Sequence, residues 1–209
     1  MTDRTCTKST VEQAVRQTDR SAGMRRRFGR NTRRGFGRDT EGSVAIEFVA
    51  LALPFFLLVF AIIESCVAFT AQQLLSNATD DVARQFRTGQ IRPADVEDNP
   101  NLVRDKICAK LELLVASSCP ELVIDLKNYE TFQEAAGKRI AFTGTGRDKD
   151  IDESGFGIDV GLAGSKNQLR VFYRWPVMTD FMRKSMSNLQ GGKTLLYASV
   201  TWQNEPFEE

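Results

Sequence analysis

The sequence predicts an α+β protein. A long amino-terminal membrane-spanning helix runs on into a small head, built of an antiparallel sheet of three or four strands and two further helices. Three observations carry this. One apolar run of bilayer length follows a basic stretch, a helical stripe continues beyond that run, and later segments switch to the two-residue alternation of strands. No strand–helix–strand rhythm appears, so the sheet is expected to be antiparallel.

Residues 1–42 hold eleven Lys or Arg against five Asp or Glu, whereas residues 43–209 hold seventeen against twenty-two. The basic stretch mixes Arg25, Arg26, Arg27, Arg30, Arg33, Arg34 and Arg38 with glycines and polar residues. It cannot bury a core and reads as a disordered leader. An excess of Lys and Arg beside a span marks the cytoplasmic side, which places the leader inside and the head outside the cytoplasm. Phe48–Ile63 is sixteen residues without a charge, and adding Ser43–Glu47, with its one glutamate, makes a stretch of twenty-one. That approaches the roughly 20 residues needed to cross a bilayer. Pro54 lies inside the run and predicts a kink.

The helix is expected to continue past Glu64. Leu75, Ala78, Val82 and Phe86 fall on one helical face, Arg84 and Arg87 suit a last turn, and Gly89 is a stop signal. A helix from Ser43 to Thr88 would be about 69 Å long, its first half in lipid and its second half amphipathic. The chain thus divides into a leader (1–42), a transmembrane helix (43–70, continuing amphipathically to about 88) and a head (89–209).

In the head, Asn99 and Pro100 suit the start of a helix with Val103, Ile107, Leu111 and Leu114 on its apolar face, ending near Ser117. Leu122, Ile124 and Leu126 alternate as in a strand. Gly137–Asn167 reads mostly as loop, with a short strand near Arg139–Thr143. Leu169–Trp175 reads as a strand. Val177–Leu189 reads as a helix with Met178, Phe181, Met182 and Leu189 inward. Gly191 and Gly192 make a turn before a last strand, Leu195–Gln203, which carries Leu195, Tyr197, Ser199, Thr201 and Gln203 on one face.

The chain has no histidine. That removes the commonest general base and the commonest zinc ligand, and no nucleophile–base pair can be built. An enzyme is not expected. Of the four cysteines, Cys6 would be cytoplasmic and Cys66 at the membrane edge. Cys108 and Cys119 remain as an exported pair able to form a disulfide. The alternative is two small buried residues.

The charge within the apolar segment needs a reason, since an ionised group in hydrocarbon is costly. Glu47 follows Gly42 by five residues and precedes Phe48. This arrangement, basic before and apolar after, resembles the processing site of type IV prepilins. "GSVAIEFVALALPFFLLVFAIIE" more narrowly resembles the anchor of TadE/TadG-like pseudopilins: Gly42, Ala45, Glu47, Phe48, Pro54, Ile62, Ile63 and Glu64 match, and Asn204-Glu205-Pro206-Phe207 resembles that family's ending. The 42-residue leader is longer than is usual in the group. In the type IV prepilins of the Tad pilus group a membrane aspartyl peptidase cuts after the glycine, and the resemblance implies cleavage between Gly42 and Ser43. The freed α-amino group is positive near neutral pH and lies about one helical turn from Glu47, which can neutralise it or a neighbour's. The resemblance further implies a pilin-like head and a minor or priming role in a Flp/Tad pilus; with no CxxC spacing and no nucleotide fingerprint, no cofactor is expected. Its implied partners are other pilins and pseudopilins, the pilus assembly machinery and the prepilin peptidase. The expected location is the inner membrane, single-pass.

Other readings are weaker. An unprocessed bitopic protein with a ligand- or partner-binding head is the main alternative. Thr32–Arg38 resembles a twin-arginine signal but has Gly37 where leucine is usual, and the apolar run is too long for a signal peptide. Ile63–Cys66 resembles a lipoprotein box only with Glu64 in an unsuitable place. The basic leader could neutralise phosphates, but nucleic acid is an unlikely partner for a tail directly before a span. Asp148–Gly155 lacks the glycine and glutamate positions of a calcium loop and reads as a solvated acidic loop.

Overall fold

The computed structural model describes residues 43–206. The leader, with its expected disorder, cytoplasmic placement and cut after Gly42, lies outside the described residues, as does Phe207. By compactness the chain divides into residues 1–51 and 52–209. Of the first unit only the opening turns of a helix are described.

That helix, α1, spans Ser43–Arg87, one residue short of the expected end. Gly89 stops it in the left-handed conformation (φ 72°). Its N–H donates to the Phe86 carbonyl (3.1 Å) while the Gln90 N–H donates to the Gln85 carbonyl (2.9 Å). Glycine adopts this conformation without steric cost, so orphan carbonyls at the helix end are satisfied.

Four short helices follow, where two were expected: α2 (Pro93–Asp98), α3 (Leu102–Leu111), α4 (Phe132–Gly137) and α5 (Asp180–Met186). The strands are β1 (Leu122–Tyr129), β2 (Phe142–Thr143), β3 (Asp150–Ile151), β4 (Lys166–Pro176) and β5 (Lys193–Gln203). β1, β4 and β5 form one antiparallel sheet in the order β1-β4-β5, and β2 pairs with β3 in a two-stranded ribbon.

The register of the main sheet stacks apolar residues in rows. Leu126 lies opposite Leu169, which lies opposite Val200; Ile124, Val171 and Ala198 make the next row. This face packs against the α1 stripe. Leu75, Ala78, Val82 and Phe86 are buried as predicted, and Ala68 and Ala71 extend the stripe upstream. Val103, Ile107 and Leu111 of α3 complete the core. The face of β5 that begins with Leu195 is the opposite one, and Ser199, Thr201 and Gln203 on it are exposed.

β4 is central and buried on both faces, hence its near-continuous apolar and aromatic run. Its second face is covered by the long connection between α4 and β4. Phe156 stacks on Phe172 (5.1 Å), and Arg170 lies beneath Phe156 (5.7 Å) while its guanidinium pairs with Asp125. Arg170 and Asp125 are both buried, and the Gly157 N–H also donates to Asp125 (3.1 Å). Burying these charges is tolerable because each has partners.

Three expectations need correction. The helix expected to reach Ser117 ends at Leu111, and it starts at Leu102, capped at Asn101, rather than at Pro100 with Asn99 as cap. The chain must turn back for Cys119 to reach Cys108, and it does so through Ser118 and Cys119, both with positive φ. Arg104 fixes that turn by donating to the carbonyls of Cys119 (2.5 Å) and Leu122 (2.7 Å). Leu114 is therefore exposed rather than inward. The helix expected over Val177–Leu189 is only α5, with Met178 and Phe181 exposed and Leu189 buried. The acidic loop is not simply solvated either. Asp150 receives hydrogen bonds from Arg174 (2.8 Å) and Gln190 (2.8 Å), and Glu153 from Arg174 (2.5 Å).

Burial alone would raise the Asp150 carboxyl. Hydrogen bonds from Arg174, Gln190 and the Ile151 N–H, with the Arg174 charge, outweigh it and hold the group below its ordinary value of 3.8. A carboxyl depressed in the folded state contributes stability above its unfolded value, and that contribution is lost as pH falls through the folded value. The full chain in detergent micelles should thus lose stability as pH drops below 3.8, and Asp150→Asn should flatten that acid limb in urea titrations. An unchanged acid limb would count against the pairing.

Candidate functional site

The site is the first half of α1 and the place where the head fastens to it. Val44–Arg87 is long and apolar enough to cross a membrane, with a mean hydropathy of 2.7 over its most apolar 18 residues, and none of that window is buried by the protein. Phe48, Val49, Leu51, Leu53, Phe55, Phe56, Leu58 and Phe60 are all exposed. A helix that is apolar all round and bare on every side is matched to lipid or to other helices, not to its own chain. Pro54 lies within it without ending it.

Ser43 is the first residue of α1, and Glu47 and Phe48 lie in its exposed opening turns. Gly42 lies outside the described residues. The structure therefore puts Ser43, Glu47 and Phe48 together at one end of the apolar run.

The other end is built differently. Glu64, the first charge after the run, reaches across to the segment that precedes α5. It accepts hydrogen bonds from the Met178 N–H (2.5 Å), the Thr179 N–H (3.2 Å) and the Thr179 hydroxyl. These N–H groups sit just ahead of a helix and have no helical carbonyl to bond, so a carboxylate is a fitting acceptor. The next residue, Ser65, meets Met186 at the far end of α5 (Oγ to Sδ, 4.0 Å). Neighbouring α1 residues thus touch both ends of α5. Sequence reasoning noted Glu64 only as part of an Ile-Ile-Glu exit. Its position immediately after an uncharged run was the available signal, but its partner, 114 residues away, left none.

Two further side chains tie α1 to the head. The Gln72 amide pairs with the outer edge of β5 as a strand would, donating to the Tyr197 carbonyl (2.9 Å) and accepting from the Tyr197 N–H (3.2 Å). At the end of α1 the Glu205 N–H donates to the Arg87 carbonyl (2.9 Å), and their side chains pair at 3.2 Å. Asn204 adds bonds to the carbonyls of Gly161 (2.9 Å) and Leu162 (3.0 Å) and accepts from the Trp202 indole (2.7 Å). The Asn204–Pro206 segment is thus a fastener for the last turn of α1. Cys108 and Cys119 are joined in a disulfide with Cα atoms 5.8 Å apart, and Cys66 is a free, exposed thiol. Among the described residues, no group of three or more His, Cys, Asp or Glu side chains is gathered to hold a metal ion.

Residues 42–84 match the family described as TadE-like protein. Over this segment the chain is similar to that family. The match covers the whole apolar run, both glutamates and most of the buried stripe, and stops short of the head. No curated protein and no solved structure matches the chain. The matched segment is thus the part in which the helix is bare and then clamped, and it fits a single-pass membrane protein.

If Glu64 clamps the head to the TadE-like segment, Glu64→Ala should speed amide hydrogen exchange at residues 178–182 by about tenfold or more, since bonds to a charged acceptor are worth roughly 1.5–3 kcal/mol. The β4 amides should not change. Unaltered exchange at 178–182, read by mass spectrometry on the full chain in micelles, would contradict the clamp.

Proposed function

We propose that this chain is a minor pseudopilin of a Flp/Tad-type pilus. It is held in the inner membrane by α1, with its leader in the cytoplasm and its head outside. Its work is structural rather than catalytic. The observation that carries this reading is the TadE-like stretch itself: an apolar helix bare on all sides, opening with Ser43 and Glu47, and continuing into a head that buries only its second half. In the membrane such a helix associates with partner helices through packing and polar contacts, because lipid supplies no hydrophobic drive between helices.

A prepilin peptidase cuts after Gly42, and the α-amino group of Ser43 becomes the counter-charge for Glu47 on the same or a neighbouring subunit. In low dielectric that pairing converts an expensive charge into a locating device: a helix shifted by a turn against its neighbour leaves a charge without its partner. The head then meets other pseudopilins or the assembly machinery.

Two measurements test this. Intact-mass spectrometry of the protein from its native membrane should show a chain beginning at Ser43; a chain retaining the leader favours an unprocessed bitopic anchor. Glu47→Gln should insert into the membrane like the native chain but reduce pilus yield by about tenfold or more, because removing one partner of a buried pair costs roughly 3–5 kcal/mol. Equal yield would leave Glu47 without this role.

A further inference from the structure

Met178 and Phe181 are large apolar residues of the head, 73% and 66% exposed. They flank Thr179, the residue clamped by Glu64. Glu64 follows Ile63, the last residue of the uncharged run, without a gap.

We propose that α5 and the segment before it form a lipid-contact surface, on which Met178 and Phe181 insert into the headgroup region of the membrane that α1 crosses. The proposal rests on α1 being that span. Three features lead to it. The first is level. Met178 is bonded through its backbone to the side chain of Glu64, so it lies within one side chain's reach of the point where the apolar run ends. Phe60, Ile62 and Ile63, just before that point, are themselves more than half exposed. The second is attachment. With Thr179 held on Glu64 and Met186 against Ser65, both ends of α5 are tied to neighbouring residues of α1 at the level where the uncharged run ends.

The third is chemistry. The short helix that exposes Phe181 also exposes Arg183 and Lys184. Arg183 pairs with Asp180 (2.7 Å) but stays 45% exposed. Cationic groups beside apolar anchors are the composition of an interfacial element, the stems lying on the acyl boundary and the charges reaching phosphates. The surface commits to a bilayer rather than to a protein groove because it is tied to the residue at which the span ends.

The test uses the full chain in nanodiscs of phosphatidylcholine and phosphatidylglycerol. Cys6 and Cys66 are replaced by serine, and single cysteines at positions 178, 181, 57 or 113 (M178C, F181C, L57C, L113C) carry an environment-sensitive fluorophore. Leu113 is an exposed head residue 81% accessible, and Leu57 lies within the span. Lipids bearing a spin-label quencher on the upper part of the acyl chain, within reach of both the interface and the span, should remove about half of the emission at 178 and 181 and leave 113 unchanged. Iodide in the buffer should quench 113 and spare 178 and 181. If 57 is quenched by the labelled lipids while 178 and 181 behave like 113, the proposal fails and the span stands. If 178 and 181 are shielded from iodide but not quenched by lipid, a protein partner covers them and the proposal fails. If 57 is not quenched either, the span and this surface fall together.

Discussion

Ala68, Ala71, Leu75, Ala78, Val82 and Phe86 recur every three or four residues along α1, and burying that stripe determines where the other main elements go. Three strands have one face too many: alone, the sheet would expose Leu126, Leu169, Val171 and Ala198 to water. The stripe covers that face, and the alanines on it allow the helix backbone to come close. Fully burying each of the larger residues contributes about 1.5–3 kcal/mol. Phe86 adds a ring contact with Trp202 at 6.3 Å, near the far end of the stripe. α3, with Val103, Ile107 and Leu111 in the same core, closes the layer, and the disulfide holds the turn that follows it.

A small sheet packed this way still has two open edges, which invite pairing with other chains. Both are covered from within. The Gly157–Asp159 segment bonds the free edge of β1, its Gly157 carbonyl accepting from the Leu126 N–H and its Asp159 N–H donating to the Leu126 carbonyl, each at 2.8 Å. The free edge of β5 is met by the Gln72 amide. Using one side chain in place of a strand suits an edge that runs against a helix, because the helix has no spare backbone groups in mid-length to offer. The same economy appears at the two ends of the packed half of α1, where Glu64 takes loop N–H groups and Arg87 gives its carbonyl to Glu205. The polar contacts thus mark the borders of the apolar stripe and the stripe supplies the burial.

How much of this was legible follows from range. The stripe, the Gly89 stop, β1, β4 and β5 are written in local periodicity and were readable because each is a run of several residues obeying one period. α4 was readable in principle: Thr131 caps it by accepting from the Glu134 N–H at 3.2 Å, a Thr-x-x-Glu pattern that the surrounding loop composition hid. α2 had its own sign in Pro93, followed by Asp95, whose carboxylate accepts from the Arg92 N–H at 2.8 Å. The inward placing of Met178 and Phe181 failed for a deeper reason. Periodicity assumes that apolar residues face the protein core, whereas on the surface proposed above they face a second apolar medium, the membrane. Gln72, Arg104 and Arg174 were invisible for want of any local signal, since what each side chain does is set by a partner that only the fold brings near.

The two glutamates of the anchor show how one residue type answers two different physical problems. Sixteen uncharged residues separate Glu47 from Glu64. In a helix they rise about 24 Å, less than the roughly 30 Å of a bilayer's hydrocarbon core. Both carboxylates cannot therefore sit in bulk water without thinning the membrane or bending their side chains outward. Glu64 meets this by taking its hydrogen bonds from the protein: two N–H groups and a hydroxyl replace water, so the group can stand at the edge of the hydrocarbon with its charge satisfied. The shortfall in length then falls on the opening turns of α1, around Glu47. In the processed form proposed above, that end gains a positive amino terminus about one turn from the carboxylate. A short span is then no defect. It draws a charge toward lipid at the one end where assembly supplies the opposite charge, and it keeps the other charge fastened to the head.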